Sequence, residues 1–378
     1  MNPIKINSFT EIRLPDLEHI VFNIPAYGDP KVVMPTTCKV LQELKDFKFS
    51  KKYNLIYQNE SLQHACDINQ WYKKPSTDVM EQILVNNKDK FFMIIDHVIF
   101  DHYTLSQHRN CQIWSRKYFS PYLENTNKDD NLRSSIHQKR KHWFCSLMGR
   151  NDVFRGRMFD WIIDNGLEKD NKISYLGVSA PIMYDDKNDD NTRDLENIDL
   201  ENIICKHKNL LPYNNFEKDG PPRTVEGRSK KLLPLHDSLF NVVMENFVTV
   251  PNAYHSEKTL NAILYGHIPL VVGGPGAMKK LNDMGIIVPD YIKWPIWDDV
   301  PIDQENYNKL DILQRQLLEF FSTNHIEEIS LDWYPYAVKN LEKLKNLHKD
   351  CAYEEREICR WILIACGSIN NKQYHHLL

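Results

Sequence analysis

The chain has 378 residues, more than one hydrophobic core usually serves, so two domains are expected. Hydrophobic residues make up 42% and charged residues 26% of it, the balance of a folded chain, which excludes wholesale disorder. A net charge of −4 argues against a protein that coats nucleic acid, and no nucleic-acid partner is expected.

The opening MNPIKINSFTEIRLPD lacks the apolar core and small-residue cleavage site of a secretory signal. No apolar run reaches the roughly 20 residues that span a bilayer. No membrane span is therefore expected, and the place of action is a reducing cytoplasm, that of the host if the chain is viral. The eight cysteines, Cys38, Cys66, Cys111, Cys145, Cys205, Cys351, Cys359 and Cys366, are scattered without a C-x-x-C pair and read as reduced thiols rather than metal ligands. A composition rich in Asn and Lys and poor in Ala fits an AT-rich genome, that of a phage, a large virus or a low-GC bacterium.

Along the first part, HIVFNIP, YNLIY and KFFMIIDHVIF read as strands, with DVMEQILVNN as a helix between two of them. This alternation predicts an α/β layer structure. The polar stretch ENTNKDDNLRSSIHQKRK marks the first boundary, giving domains over 1–138 and 139–320, with C-terminal helices over 321–378.

HWFCSLMGR, NDVFRGRMFDWIIDNG and KISYLGV form a strand–loop–helix–strand unit, with Asn151 or Asp152 as N-cap and Gly166 as stop. The aspartate-rich YDDKNDDNTRDLEN reads as a solvated loop rather than a metal site, because no apolar element positions its carboxylates. A second unit runs from SLFNVVMEN through SEKTLNAILYG to HIPLVVGG. Ser256 is its N-cap, Ala262, Ile263 and Tyr265 face the sheet, and Gly266 takes the left-handed position. The next helix, PGAMKKLNDMG, is bounded by Pro275 and Gly285. Three amphipathic helices follow, through LDILQRQLLEFF, YAVKNLEKLKNL and EEREICRWILIACG.

The second unit delivers Glu245, Asn246, Tyr254, Ser256, Glu257 and Lys258 to the carboxyl end of a parallel sheet, where open α/β sheets bind ligands. In the first turn of a helix, unpaired backbone N–H groups and the dipole attract phosphate oxygens, and Lys258 adds a full charge. The Glu257 carboxylate suits two ribose hydroxyls. Upstream, Arg150, Arg155 and Arg157 offer guanidinium forks that match a diphosphate. Taken singly, Arg155 and Arg157 read as exposed helix residues and Glu257 as a carboxylate on the helix dipole. Together they suggest two anion-binding elements facing one cleft.

The run FNVVMENFVTVPNAYHSEKTLNAILYGHIPLVVGG resembles the donor-binding motif of the α1,3-fucosyltransferases: a strand ending in Glu-Asn, a loop, a Tyr-x-x-Glu-Lys helix start, and a Pro-Val-type strand ending in Gly. It is similar also to the fucosyltransferase-like proteins of phages, large viruses and bacteria, in which Gly-Gly-Pro-Gly follows. CSLMGRNDVFRGRMFDWIIDNG resembles the family's Ser-Asn loop and arginine-bearing helix. The similarity covers residues 143–178 loosely and 239–287 well.

The resemblance implies a GT-B fold, two Rossmann-like domains facing a cleft, with the acceptor bound by the first, the sugar nucleotide by the second, and the last helices packing back toward the first. It implies Lys258 on the donor phosphates, Glu257 on the ribose, Asn246 and Tyr254 on the nucleotide or sugar, and Arg155 on the diphosphate with Arg157 as its competitor. The loop FVTVPNA is more apolar than the family's, which leaves the base and sugar open, with a GDP-sugar and fucose preferred and a UDP-sugar as the other choice.

The family inverts the anomeric centre. A carboxylate takes the acceptor proton while cations stabilise the departing diphosphate. With Arg155, Lys258 and a helix terminus available, no metal or other cofactor is expected. Asp96 and Asp101, at or after the strand FFMIID, are the candidate bases, with Glu60 a third, although such aspartates also serve as turn residues and His97 or His102 as packing. The expected partners are a sugar nucleotide and a glycan acceptor. The competing readings are another sugar-nucleotide enzyme such as an epimerase, a noncatalytic nucleotide-sugar- or carbohydrate-binding protein, and a structural virion protein.

Overall fold

The computed structural model describes residues 8–22, 47–58, 75–96, 105–116, 139–150, 153–178, 205–215, 236–245, 255–301 and 308–369. The chain divides into two compact units, Met1–Ser120 with Leu347–Leu378, and Pro121–Asn346. Each is α/β, built on a sheet whose described strands are parallel but for one short edge strand in the second.

In the first unit β1 (Leu17–Phe22), β2 (Tyr53–Gln58), β3 (Phe91–Asp96) and β4 (Cys111–Ser115) lie side by side in chain order, all parallel. Because successive side chains on a strand point to opposite faces, β2 and β3 feed two separate cores. Ile56, Phe92 and Ile94 meet Met80, Ile83 and Leu84 of helix α1 (Pro75–Asn86), a triplet at helical spacing. Leu55, Tyr57, Met93 and Ile95 meet Phe9, Ile12, Ile358, Cys359 and Ile362 on the other face. Each fully buried aliphatic side chain in these layers contributes roughly 1.5–3 kcal/mol. Asn110 donates to Leu84 O at 3.1 Å and Asn87 O at 3.2 Å, satisfying carbonyls at the end of α1.

The second unit orders its strands β7-β6-β5-β8-β9: β5 is His142–Arg150, β6 Lys172–Val178, β7 Tyr213–Asn214, β8 Ser238–Met244 and β9 Ile268–Val272. Among these described strands only the short β7 is antiparallel. All five residues of β9 are buried, as a run without alternation requires of a parallel strand covered on both faces. Helix α2 (Val153–Asp164) joins β5 to β6, and α3 (Glu257–Leu264) joins β8 to β9. Ala262, Ile263 and Tyr265 are buried and Gly266 has φ +71°, as their pattern predicts.

After β9, helix α4 (Ala277–Asp283) starts two residues later than Pro275 suggests. Gly276, at φ +78°, is its N-cap, and Gly285, at φ +83°, follows its end. Helix α5 (Asn308–Thr323) stacks Phe320 and Phe321 among Trp143, Phe144 and Phe240. The last two expected helices are one, α6 (Ile326–Ala365). No glycine interrupts it, and Leu347 and Cys351 are buried across the expected break. Pro335 lies inside it, a cost of about 3 kcal/mol against which Trp333, Ala337, Leu341 and Leu344 are buried. Its residues through Asn346 belong to the second unit and those from Leu347 to the first.

Candidate functional site

The second sheet reverses direction once. From β5 the chain steps outward to β6, and after β7 it returns to the other side of β5 and continues through β8 to β9. The carboxyl ends of β5 and β8 therefore flank a topological switch point, where the connecting helices diverge and open α/β sheets bind ligands. The opposite end is closed. Buried Arg140 donates to the carbonyls of His236, Ser238 at 3.0 Å, Tyr265 at 3.1 Å and Gly266 at 3.1 Å, and Trp333 Nε1 also donates to Gly266 O, at 2.9 Å. Burial pushes the Arg140 guanidinium down to about 10.

At the carboxyl end, Glu245 follows β8 directly and is 2% exposed. Its Oε1 accepts from Ser256 N at 2.9 Å and from Thr259 Oγ1 at 2.6 Å, which ties the strand end to the start of α3. Ser256 Oγ in turn accepts from Lys258 N at 3.2 Å, the N-cap its position predicts, and lies 3.5 Å from Lys258 Nζ. Lys258 is half-buried on the first turn.

Arg155 approaches from α2. It is 3% exposed, and its Nη2 donates to Met244 O at 2.9 Å and Glu245 O at 3.3 Å. Its surroundings follow from helical spacing, since Met158, Phe159 and Ile162, three, four and seven residues on, are buried on the same face. The exposed-residue expectation thus fails for Arg155 and holds for Arg157, which is exposed and lies 3.7 Å from Asp311 of α5. Arg155, expected on the diphosphate, thus holds the carbonyls that end β8, while the Glu245 side chain holds the start of α3 that carries Lys258, and Arg157 faces Asp311.

The turn after β9 is built differently. Lys309, fully buried, donates to Gly273 O at 3.0 Å, Gly274 O at 3.4 Å and Asp298 O at 2.8 Å. Asp298 ends a one-turn helix, Pro295–Asp298, and its carboxylate accepts from Met278 N at 2.9 Å and Lys279 N at 2.8 Å, occupying the first turn of α4. Burial pushes Lys309 down to about 8 and raises Asp298. The glycine-rich turn is thus filled by the protein's own charges. Nothing local in the sequence announces this pair, whereas Glu245 was visible as a carboxylate ending an apolar strand.

His255, beside the N-cap of α3, is buried, and burial pushes it down to about 3, with Lys280 adding to the effect. Glu257 is the first residue of α3, with its side chain outside the described residues. Asp96 ends β3 opposite Ser115 of β4, its side chain likewise outside. Asn246, Tyr254, Asp101, Glu60, His97, His102, Asn151, Asp152, Cys38, Cys66 and the aspartate-rich segment 184–197 lie outside the described residues altogether.

Among the described residues the six remaining cysteines are free thiols. No group of three or more His, Cys, Asp or Glu is placed to hold a metal ion, and no helix is long and apolar enough to cross a membrane, again among the described residues. Comparison with family models, with curated proteins and with solved structures found no match to this chain.

Proposed function

We propose that the chain is an inverting glycosyltransferase of the GT-B type, related to the α1,3-fucosyltransferases, that moves a sugar from a nucleoside-diphosphate sugar to a glycan hydroxyl. The observation that carries this reading is the place of Lys258. It stands on the first turn of the Ser256-capped α3, at the carboxyl end of the sheet that reverses between β5 and β8. A helix start with an ammonium beside it is suited to phosphate oxygens.

In this reading the diphosphate lies against Lys258 and the start of α3, and Glu257 takes the ribose hydroxyls. The leaving group's charge grows as the sugar–oxygen bond lengthens, and the Lys258 ammonium with the start of α3, already in place, stabilises it without reorganisation. Turnover then needs no divalent metal. The first unit supplies the acceptor site and the base that takes the acceptor proton, with Asp96 and Asp101 as its candidates. A GDP-sugar, with fucose as the sugar, is the preferred donor and a UDP-sugar the second choice.

The test is thermal denaturation with GDP, UDP and their sugar conjugates, on wild type and Lys258→Ala. Stabilisation by one nucleotide that disappears in the variant supports the donor site and names the base. Equal responses from both proteins, or none from wild type, overturn it. Binding without product on any glycan acceptor would leave a noncatalytic sugar-nucleotide-binding protein.

A further inference from the structure

We infer that Glu245 is a positioning residue of this site, acting on ligand affinity through Lys258, an inference that rests on the donor reading above. Three observations carry it. The carboxylate is 2% exposed, yet its contacts are not those of a surface ion pair: one oxygen, Oε1, receives both the Ser256 N–H and the Thr259 hydroxyl. The second of these is short, 2.6 Å, as a charge-assisted O–H bond should be. The two donors flank Lys258 in sequence, so a single oxygen holds the backbone before the lysine and a side chain after it.

The backbone of Glu245 is itself held. Arg155, from the helix on the other side of the switch point, donates to the carbonyls of Met244 and Glu245. A relay thus runs from α2 through the end of β8 to the first turn of α3. In it Arg155 grips the strand end and Glu245 grips the helix. The remaining oxygen, Oε2, is buried without a hydrogen-bond partner. Keeping a carboxylate there costs stability.

The experiment is a double-mutant cycle on affinity for the nucleotide that stabilises wild type, using Glu245→Ala and Lys258→Ala singly and together, read by calorimetric titration to ligand concentrations high enough to follow the weakened Lys258→Ala background, where no thermal shift remains at the screening concentration. Glu245→Ala is expected to weaken binding about tenfold when Lys258 is present and less than about twofold in the Lys258→Ala background. Independent, additive losses overturn the inference, since a role in stability alone does not couple to Lys258. Glu245→Gln keeps an acceptor for both donors and is expected to bind within about threefold of wild type. A Gln variant as weak as Ala overturns positioning by hydrogen bonding. Should Glu245→Ala not fold, Thr259→Val removes one donor at constant shape. It is expected to cost about threefold, coupled to Lys258 in the same way, and additivity there overturns the inference equally.

Amide exchange in the ligand-free protein separates this inference from the donor reading. Exchange at Ser256, whose N–H the carboxylate accepts, is expected to quicken about tenfold or more in Glu245→Ala. Unchanged exchange overturns the clamp whatever the ligand does. A wild type that binds no nucleotide overturns the donor reading and the functional part of this one, even where exchange shows the clamp.

Discussion

The two sheets are made of similar material and differ in how they grow. The first adds β1, β2, β3 and β4 in one direction, so its described strands contain no point at which the order reverses. The second starts in its middle at β5, steps out to β6, and returns past β5 to β8 and β9. Only a reversal separates the connections at the carboxyl end of adjacent strands and leaves a crevice there. The first sheet's faces feed two packed cores, while β8 of the second ends in a cluster of Arg155, Glu245 and the start of α3.

That contrast can be pressed hardest at the turn after β9. Lys309→Ala leaves the carbonyls of Gly273, Gly274 and Asp298 and the Asp298 carboxylate without their cation, and is expected to destabilise the second unit by about 3–5 kcal/mol in denaturant unfolding. A change below about 1 kcal/mol would mean that the turn is not held by this pair. Replacing Lys309 and Asp298 together by Met and Asn should cost less than the two losses added, because neither charge is then left alone.

Acid should act on the same unit. The folded-state value of His255, about 3, lies below its ordinary 6.5, so between those values the unfolded chain binds the extra proton. Its contribution is complete above about pH 6.5 and is lost as the pH falls toward 3. His255→Phe is expected to flatten the fall in melting temperature over that window. An unaltered pH profile would show that His255 is not buried as a neutral ring.

The first unit offers the next effect in size. Glu355, on the last part of α6, accepts from Ser8 Oγ at 2.9 Å, Phe9 N at 3.2 Å and Arg116 Nη2 at 3.0 Å. Glu355→Ala should cost about 2 kcal/mol, since it strands the Phe9 N–H and leaves Arg116 with Glu354, whose Oε2 lies 3.9 Å from its Nε. If the two units unfold in separate steps, the loss should fall on the transition that Lys309→Ala leaves in place.

Much of this was legible because its signals are local. Ser256, the apolar Ala262 and Ile263, and Gly266 bracket α3 within eleven residues, and the unbroken apolar run of β9 names a covered parallel strand. The inward Arg155 was missed, read alone as an exposed helix residue, although its spacing carried the signal: at i, i+3, i+4 and i+7 it shares a face with Met158, Phe159 and Ile162, whereas Arg157, about 200° around the helix, does not. The single helix α6 was not legible, because Pro335 and the polar stretch after Leu347 resemble breaks, and only tertiary burial of Trp333, Leu347 and Cys351 overrides them. Nor was the Lys309–Asp298 pair. A charge placed on a helix face gives no sign that a turn built from other segments will close over it.

The smallest expected effect on stability separates the two helix starts most directly. Both α3 and α4 begin at the carboxyl end of a buried strand, and both have a lysine within their first turn or packed under it. At α4 the N–H groups of Met278 and Lys279 are already taken by Asp298, so removing Lys309 disturbs the fold. At α3 the Ser256 hydroxyl caps the Lys258 backbone N–H and Glu245 is the clamp, and the Lys258 ammonium reaches Ser256 Oγ at 3.5 Å, the long limit of a hydrogen bond. Lys258→Ala should therefore shift unfolding by no more than about 0.5 kcal/mol while abolishing the nucleotide-dependent rise in melting temperature. A lysine removable without cost to the fold, yet required for ligand stabilisation, is held in place for the ligand. If Lys258→Ala destabilised as Lys309→Ala does, the two turns would be equivalent, and the reversal between β5 and β8 would describe the fold without marking a site.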